Sequence, residues 1–337
     1  MKIGFCCKWV EETSLAINNV ESHNQKTTTV TYMRKLKKDE AYKKIHSILV
    51  HNFQSLFNVF NELKKLPIEC RMMRIGSDFL PLYTHEEFSW IYKELDIKNL
   101  IEKNFSILGK FIIENDIRIS MHPDQFTMIG SLDDKIYNNS VKHFEYHTDI
   151  MRMMNFGNSF HEYGIEINIH AGSKNHSLDK IIHTINKVFS SEAKNLISLE
   201  NDEFSYGIND LLTLKDHTAI LLDVHHYLIK EEDYIQRTDP RIQLIIDSWK
   251  GIRPELHYSL PIESELENHD VNILPNMKKL LIEGKKKGNL RKHSYDIWNN
   301  AMNQYVLEFS DSFDIMYEGK NKNLSSIKLY NNLKPLI

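Results

Sequence analysis

The chain has 337 residues, 41% of them hydrophobic and 10% aromatic, which is enough to bury one large core, and β/α barrels reach this size as a single domain. A formal net charge of −4 excludes an overall basic nucleic-acid-binding signature, although a local basic groove beside clustered carboxylates is compatible with it. Three cysteines, Cys6 and Cys7 adjacent, give neither a disulfide framework nor a CxxC metal motif, the apolar N-terminal stretch is broken by Lys8, and no run approaches the roughly 18 apolar residues of a membrane span. A reducing, cytoplasmic location is expected, with no membrane association.

A strand is expected over Lys2 to Cys7, then a helix over Ala41 to Leu66 and a second strand over Cys70 to Gly76. A helix over Glu86 to Asn104 follows, its aromatic stretch Phe88 to Tyr92 reading as core, and a third strand covers Arg118 to Pro123. The alternation continues with a helix over Asp133 to Phe156, a strand over Ile165 to Gly172, a helix over Ser177 to Phe189 and a strand over Leu196 to Asp202. Next come a helix over Ile208 to Leu214, a strand over Ala219 to His226, a helix over Pro240 to Trp249 and a strand over Pro254 to Leu260. A long helix over Asn276 to Tyr305, broken near Gly288, leads to the last strand, Phe313 to Lys320. The strands read as continuous apolar runs, as buried parallel strands should. A doubly wound open sheet shares the alternation but carries a glycine-rich phosphate turn, and none is found. The expected architecture is α/β, a single (β/α)8 TIM barrel over residues 1–337.

Six of those runs end, at or next to the last residue, in a potential metal ligand: His122, His170, Glu200, Asp223 with His226, His257, and Glu318. Side chains delivered from one end of several strands describe the C-terminal face of a barrel. A lone strand-end histidine is more often a packed residue than a ligand, but six coincident strand ends reverse that expectation. Imidazoles mixed with carboxylates suit Zn, Mn or Fe. Glu255 shares strand parity with His257, so both point inward if either does. Glu200, between two ions, would be the bridging carboxylate of a multi-metal hydrolase.

The segments RIGSDFLPL with His85 downstream, MHPDQF, NIHAGSK, LENDE, LLDVHH, LHYSLP and YEGKNK together resemble the UV damage endonuclease family, from the first strand to about residue 323. That resemblance implies a barrel related to endonuclease IV, a cluster of two or three divalent cations, typically manganese, and incision of DNA immediately 5′ of a photolesion or abasic site. It implies His85, His122, His170, Glu200, Asp223, His226, His257 and Glu318 as metal ligands. Gln125 and Phe126 stand where the family has a Gln-Tyr pair wedged into the duplex. Glu255 replaces a lysine, carbamylated in the family to give a bridging carboxylate, so a direct or supporting ligand role is expected for it. Phe5 and Trp9 replace the family's lesion-facing Tyr and Asn, and Trp9 is a candidate to stack on an extruded base.

Residues 264–291 look inserted relative to the family, with a basic end, Lys285 to Arg291, within possible reach of phosphate. Lys320 and Tyr258 are candidates to stabilise charge near the phosphate, each with an ordinary loop or packing role as the alternative. The expected reaction is metal-assisted phosphodiester hydrolysis on damaged double-stranded DNA by a monomer, leaving a 3′-hydroxyl and a 5′-phosphate. Two other readings stand beside it: a metal-dependent sugar isomerase or epimerase, and a non-catalytic damage-binding protein.

Overall fold

In the computed structural model, which describes residues 1–13, 16–172 and 176–333, eight parallel strands close into a barrel. They are β1 (Ile3–Cys6), β4 (Met72–Ile75), β5 (Arg118–Met121), β6 (Glu166–His170), β7 (Ile197–Glu200), β8 (Ala219–Asp223), β9 (Glu255–Tyr258) and β10 (Asp314–Tyr317). A hairpin of β2 (Val10–Glu12) and β3 (Ile17–Asn19), not among the expected elements, follows β1. Each expected barrel strand is present and shorter than its apolar run, because the residues flanking the ladder turn into loops or helix caps. Neighbours pair in chain order, and β1 closes the ring against β10 through Ile3↔Ile315 and Phe5↔Tyr317.

Strand alternation sorts the side chains into two cores. Outward residues such as Phe5, Ile75, Ile119, Ile167, Leu199, Leu222, Leu256 and Tyr317 join the main apolar cluster under the helices. Lys38–Lys65 supplies that layer with Ile45, Leu49, Phe53, Leu56, Phe60 and Leu63, a helical stripe with Asp39 and Glu40 in its first turn and Lys64 and Lys65 in its last. Of the inward set, Cys6, Met72 and Met316 form a separate apolar cluster. Above and around them lie Arg118, Ser120, Glu166, Ser198 and Glu255, all buried. Arg118 binds Asp314 Oδ2 at 2.9 Å and lies 3.6 Å from Glu255 Oε2, so these interior charges are paired.

Three helical expectations are corrected. β8 stops at Asp223, whose carboxylate caps a helix over Val224–Glu231 by accepting from His226 N at 2.7 Å; His226 therefore stands on the first helical turn, not on the strand. The long helix over Asn276 to Tyr305 is three short ones, Met277–Ile282, Lys287–Leu290 and Asn300–Leu307, since Gly284 at positive φ and a fresh cap at Asn299 interrupt the period. The helix expected over Ser177 to Phe189 ends in a π turn over Thr184–Val188, and Ser191–Leu196 and Lys322–Leu333 are further helices that the periodicity did not yield. No helix among the described residues is long and apolar enough to cross a membrane.

Candidate metal centre and nucleic-acid interface

Inward parity at successive strand ends brings the predicted ligands to one face. Glu200, last in β7 and only 1% exposed, is the hub: Oε2 accepts from Asn168 Nδ2 at 2.6 Å and lies 3.3 Å from His122 Nε2. Its Oε1 lies 2.9 Å from His257 Nδ1 and 3.7 Å from His226 Nδ1. Two sets have ligand atoms within 4.8 Å of one another, His122 with His170 and Glu200, and Glu200 with Asp223 and His257. Glu200 belongs to both. Glu318 flanks the second set, 3.5 Å from His257 Nδ1, and the His170 and His226 rings sit 5.4 Å apart.

Carboxylates outnumber fixed cations here, and proton affinities follow. The Asp223, Glu200 and Glu203 carboxylates push His226 up to about 9 against the opposing effect of burial, while burial, with Glu200 and Glu318 nearby, raises Asp223 to about 6 against the pull of His226. Burial lowers His170 to about 4, which keeps its ring in the neutral form that binds metals. Burial works against ionised Glu318, but Arg74 and His257 together hold its carboxyl far below the usual range. Among the described residues, His170 Nδ1 and Asp223 Oδ2 are buried without a hydrogen-bond partner. Unpartnered buried donor atoms in a set rich in imidazole and carboxylate fit divalent cations.

Several predicted residues fall elsewhere. His85 belongs to neither set: its Nδ1 accepts from Glu87 N at 3.2 Å and its ring lies 5.5 Å from Phe88. Tyr258 points outward, fully buried, and donates to Asn303 Oδ1 at 2.8 Å, so it packs under the helices away from the two ligand sets. Lys320 turns over the Tyr295 ring at 4.1 Å. Phe5, by its odd parity in β1, packs under the helices, and Trp9 is 8% exposed between Phe5 and His23, with ring centroids at 5.8 and 6.1 Å. Both side chains are buried.

Glu255 is inward, as its parity with His257 predicted, but one layer deeper. It lies 3.3 Å from His257 Nε2, accepts from Ser120 Oγ at 3.3 Å and faces Arg118. It supports a ligand and is in neither metal-capable set. Gln125 and Phe126 lie on the loop after β5, and Phe126 is 69% exposed with its amide bound to Asp124 Oδ1 at 2.8 Å. Ser173 and Lys174, which end the NIHAGSK motif, lie outside the described residues.

Three participants escaped the sequence reading. Arg74 binds Glu318 Oε1 at 2.5 Å and His257 Nε2 at 2.7 Å, and parity with Met72 in β4 could have found it. Asn168 orients Glu200, and its parity with His170 was the available signal. His293, 3.8 Å from Glu318 Oε2, had no signal because the length of the preceding connection hid its position.

The fold and these two ligand sets define a β/α barrel whose C-terminal face can hold divalent cations around one shared carboxylate. The chain matches the family described as UV-endonuclease UvdE over residues 1–336, and it belongs to that family. It is 26% identical to the UV DNA damage endonuclease of Bacillus cereus (strain G9842), over 92% of this chain and 90% of the relative. To the UV DNA damage endonuclease of Clostridium perfringens it is 29% identical, over 100% of this chain and 71% of the relative. A crystal structure of SacUVDE superposes with a TM-score of 0.73 at 24% identity, covering 100% of this chain and 99% of that one.

Proposed function

We propose that the protein incises UV-damaged double-stranded DNA immediately 5′ of the lesion, using two or three divalent cations, most readily Mn2+. The observation that carries this reading is Glu200, common to two metal-capable sets in a chain that matches the UV-endonuclease family along nearly its whole length.

His122, His170 and Glu200 would hold one ion, and Glu200, Asp223 and His257 a second, with Glu318 and His226 alongside. Bound there, divalent cations activate water as the nucleophile and stabilise the departing 3′ oxygen. The chain itself sets the geometry. Asn168 donates to one Glu200 oxygen and fixes the carboxylate plane. Arg74 ties Glu318 to His257, offsetting negative charge from below without occupying the face that phosphate approaches. Phe126, exposed beside the His122 loop, supplies an apolar face for the gap opened when the damaged dinucleotide leaves the stack, and Gln125 supplies polar contacts to the opposite strand. Glu255 braces His257 as an unmodified carboxylate.

Purified protein incubated with Mn2+ and end-labelled, UV-irradiated duplex tests the proposal. The expected product is a single cut 5′ of the lesion leaving a 3′-hydroxyl, with undamaged duplex left intact. Failure to cut irradiated duplex with any of Mn2+, Zn2+ or Mg2+ overturns it.

A further inference from the structure

We propose that Arg291, carried on the connection after β9, is a backbone-phosphate contact of the catalytic cleft, held in position by Glu203 and Phe204 of the loop after β7. The inference rests on the DNA-incision reading and assigns one residue within it. The cleft, about 440 Å³, is lined among others by Gln125, His170, Phe204, His226, Arg291 and His293. Gln125, Arg291 and the candidate ligands His170 and His226 therefore share one cleft.

Position along the connection decides which of its cations are available. Lys285 pairs with Glu265 at 3.7 Å and Lys287 with Glu232 at 2.9 Å, both away from the cleft. Arg291 enters it. Its NH1 binds Glu203 Oε1 at 2.6 Å and its guanidinium lies 4.9 Å from the centre of the Phe204 ring, while the side chain keeps 46% of its surface exposed. A guanidinium clamped on one edge by a carboxylate and on one face by an aromatic ring still offers its remaining N–H groups to an anion, and its planar fork matches phosphate oxygens. The segment is anchored to the barrel rim: Ser294 N donates to Leu260 O at 2.9 Å, Lys320 N to Ser294 O at 3.0 Å, and Pro261 bridges His293. Arg291 is thus held at a fixed height above the ligands instead of swinging on a loose loop.

Phe204 is 57% exposed, so its ring is open to the cleft that it lines. Stacked beneath Arg291, it pre-organises the cation and lowers the ordering cost of binding. Glu203 also lies 3.7 Å from His226 Nε2, so the clamp connects the phosphate contact to the ligand set.

The test uses the full-length protein with Mn2+ and a duplex containing one defined photolesion. Arg291→Gln is expected to raise KM about tenfold or more, the loss typical of a charge-assisted hydrogen bond, with kcat little changed. The slope of log affinity against log salt should fall by about one. Arg291→Lys keeps the charge without the fork and should recover the salt slope but only part of KM. A merely structural ion pair predicts a lower melting temperature with unchanged KM and salt slope, and that result overturns the proposal. If the wild-type protein does not cut the duplex at all, the functional reading fails; if it cuts and Arg291→Gln matches it in KM and salt slope, the Arg291 assignment alone fails.

Discussion

Replacing Phe126 with alanine separates a DNA-facing role from a packing role, because the two predict different sizes of loss in different assays. Phe126 is 69% exposed, so about a third of its surface is covered by protein. A fully buried aromatic side chain covers roughly 150–250 Å², and at about 25 cal/mol per Å² the covered third is worth about 2 kcal/mol as an upper bound. In a chain of this size that shifts the melting temperature by no more than about a few degrees. A phenylalanine packed inside the barrel mouth would instead cost roughly 3–5 kcal/mol on truncation. Stacking on a base is worth about 1–3 kcal/mol, so Phe126→Ala should weaken affinity for lesion-containing duplex by roughly 5- to 150-fold. Thermal melting and fluorescence anisotropy on the same preparation give both numbers, with Mn2+ content as a control that should not move. Unchanged affinity for damaged duplex refutes the wedge.

Glu200→Gln removes a charge shared by both ligand sets, so incision should fall by orders of magnitude and the rise in melting temperature on adding Mn2+, expected because ions bind the folded state, should vanish; a variant that cuts and is stabilised like wild type sinks the proposed centre. Glu255→Ala strips one partner from the buried Arg118 and His257, so a loss of about 3–5 kcal/mol in stability is expected, whereas activity of the intact protein should be insensitive to added bicarbonate; denaturant melts and rate assays with and without bicarbonate check the two halves. Burial lowers His161 to about 3, so the folded state keeps it neutral while the unfolded chain protonates it below its ordinary value of roughly 6.5. Its contribution is therefore present above about pH 6.5 and is lost as pH falls towards 3, with a slope of up to about 1.4 kcal/mol per pH unit. His161→Asn, which tolerates the left-handed backbone at φ 42°, should flatten stability against pH over that window by one proton, and an unaltered slope would show that His161 does not couple folding to pH.

The sequence by itself determined the barrel, because eight apolar runs separated by helix-period segments have few ways to bury both faces of a parallel sheet. It determined much of the centre as well: His122, His170, Glu200, Asp223 and His257 sit at strand ends, where alternation fixes the direction of each side chain. Reading failed where local chemistry redirects the chain. Asp223 caps a helix, which moves His226 off the strand, and the long connection after β9 brings His293 and Arg291 back to the site after a length of chain that no periodicity measures. Only the tertiary structure decided which inward residues meet. Glu255 and His257 have the same parity, yet one braces from below while the other lies in the ligand set, since depth along the barrel axis depends on strand tilt and register. His85, Tyr258 and Trp9 stand apart from the two ligand sets for the same physical reason: a side chain's neighbours across the fold decide which way it faces, and sequence spacing carries no record of them.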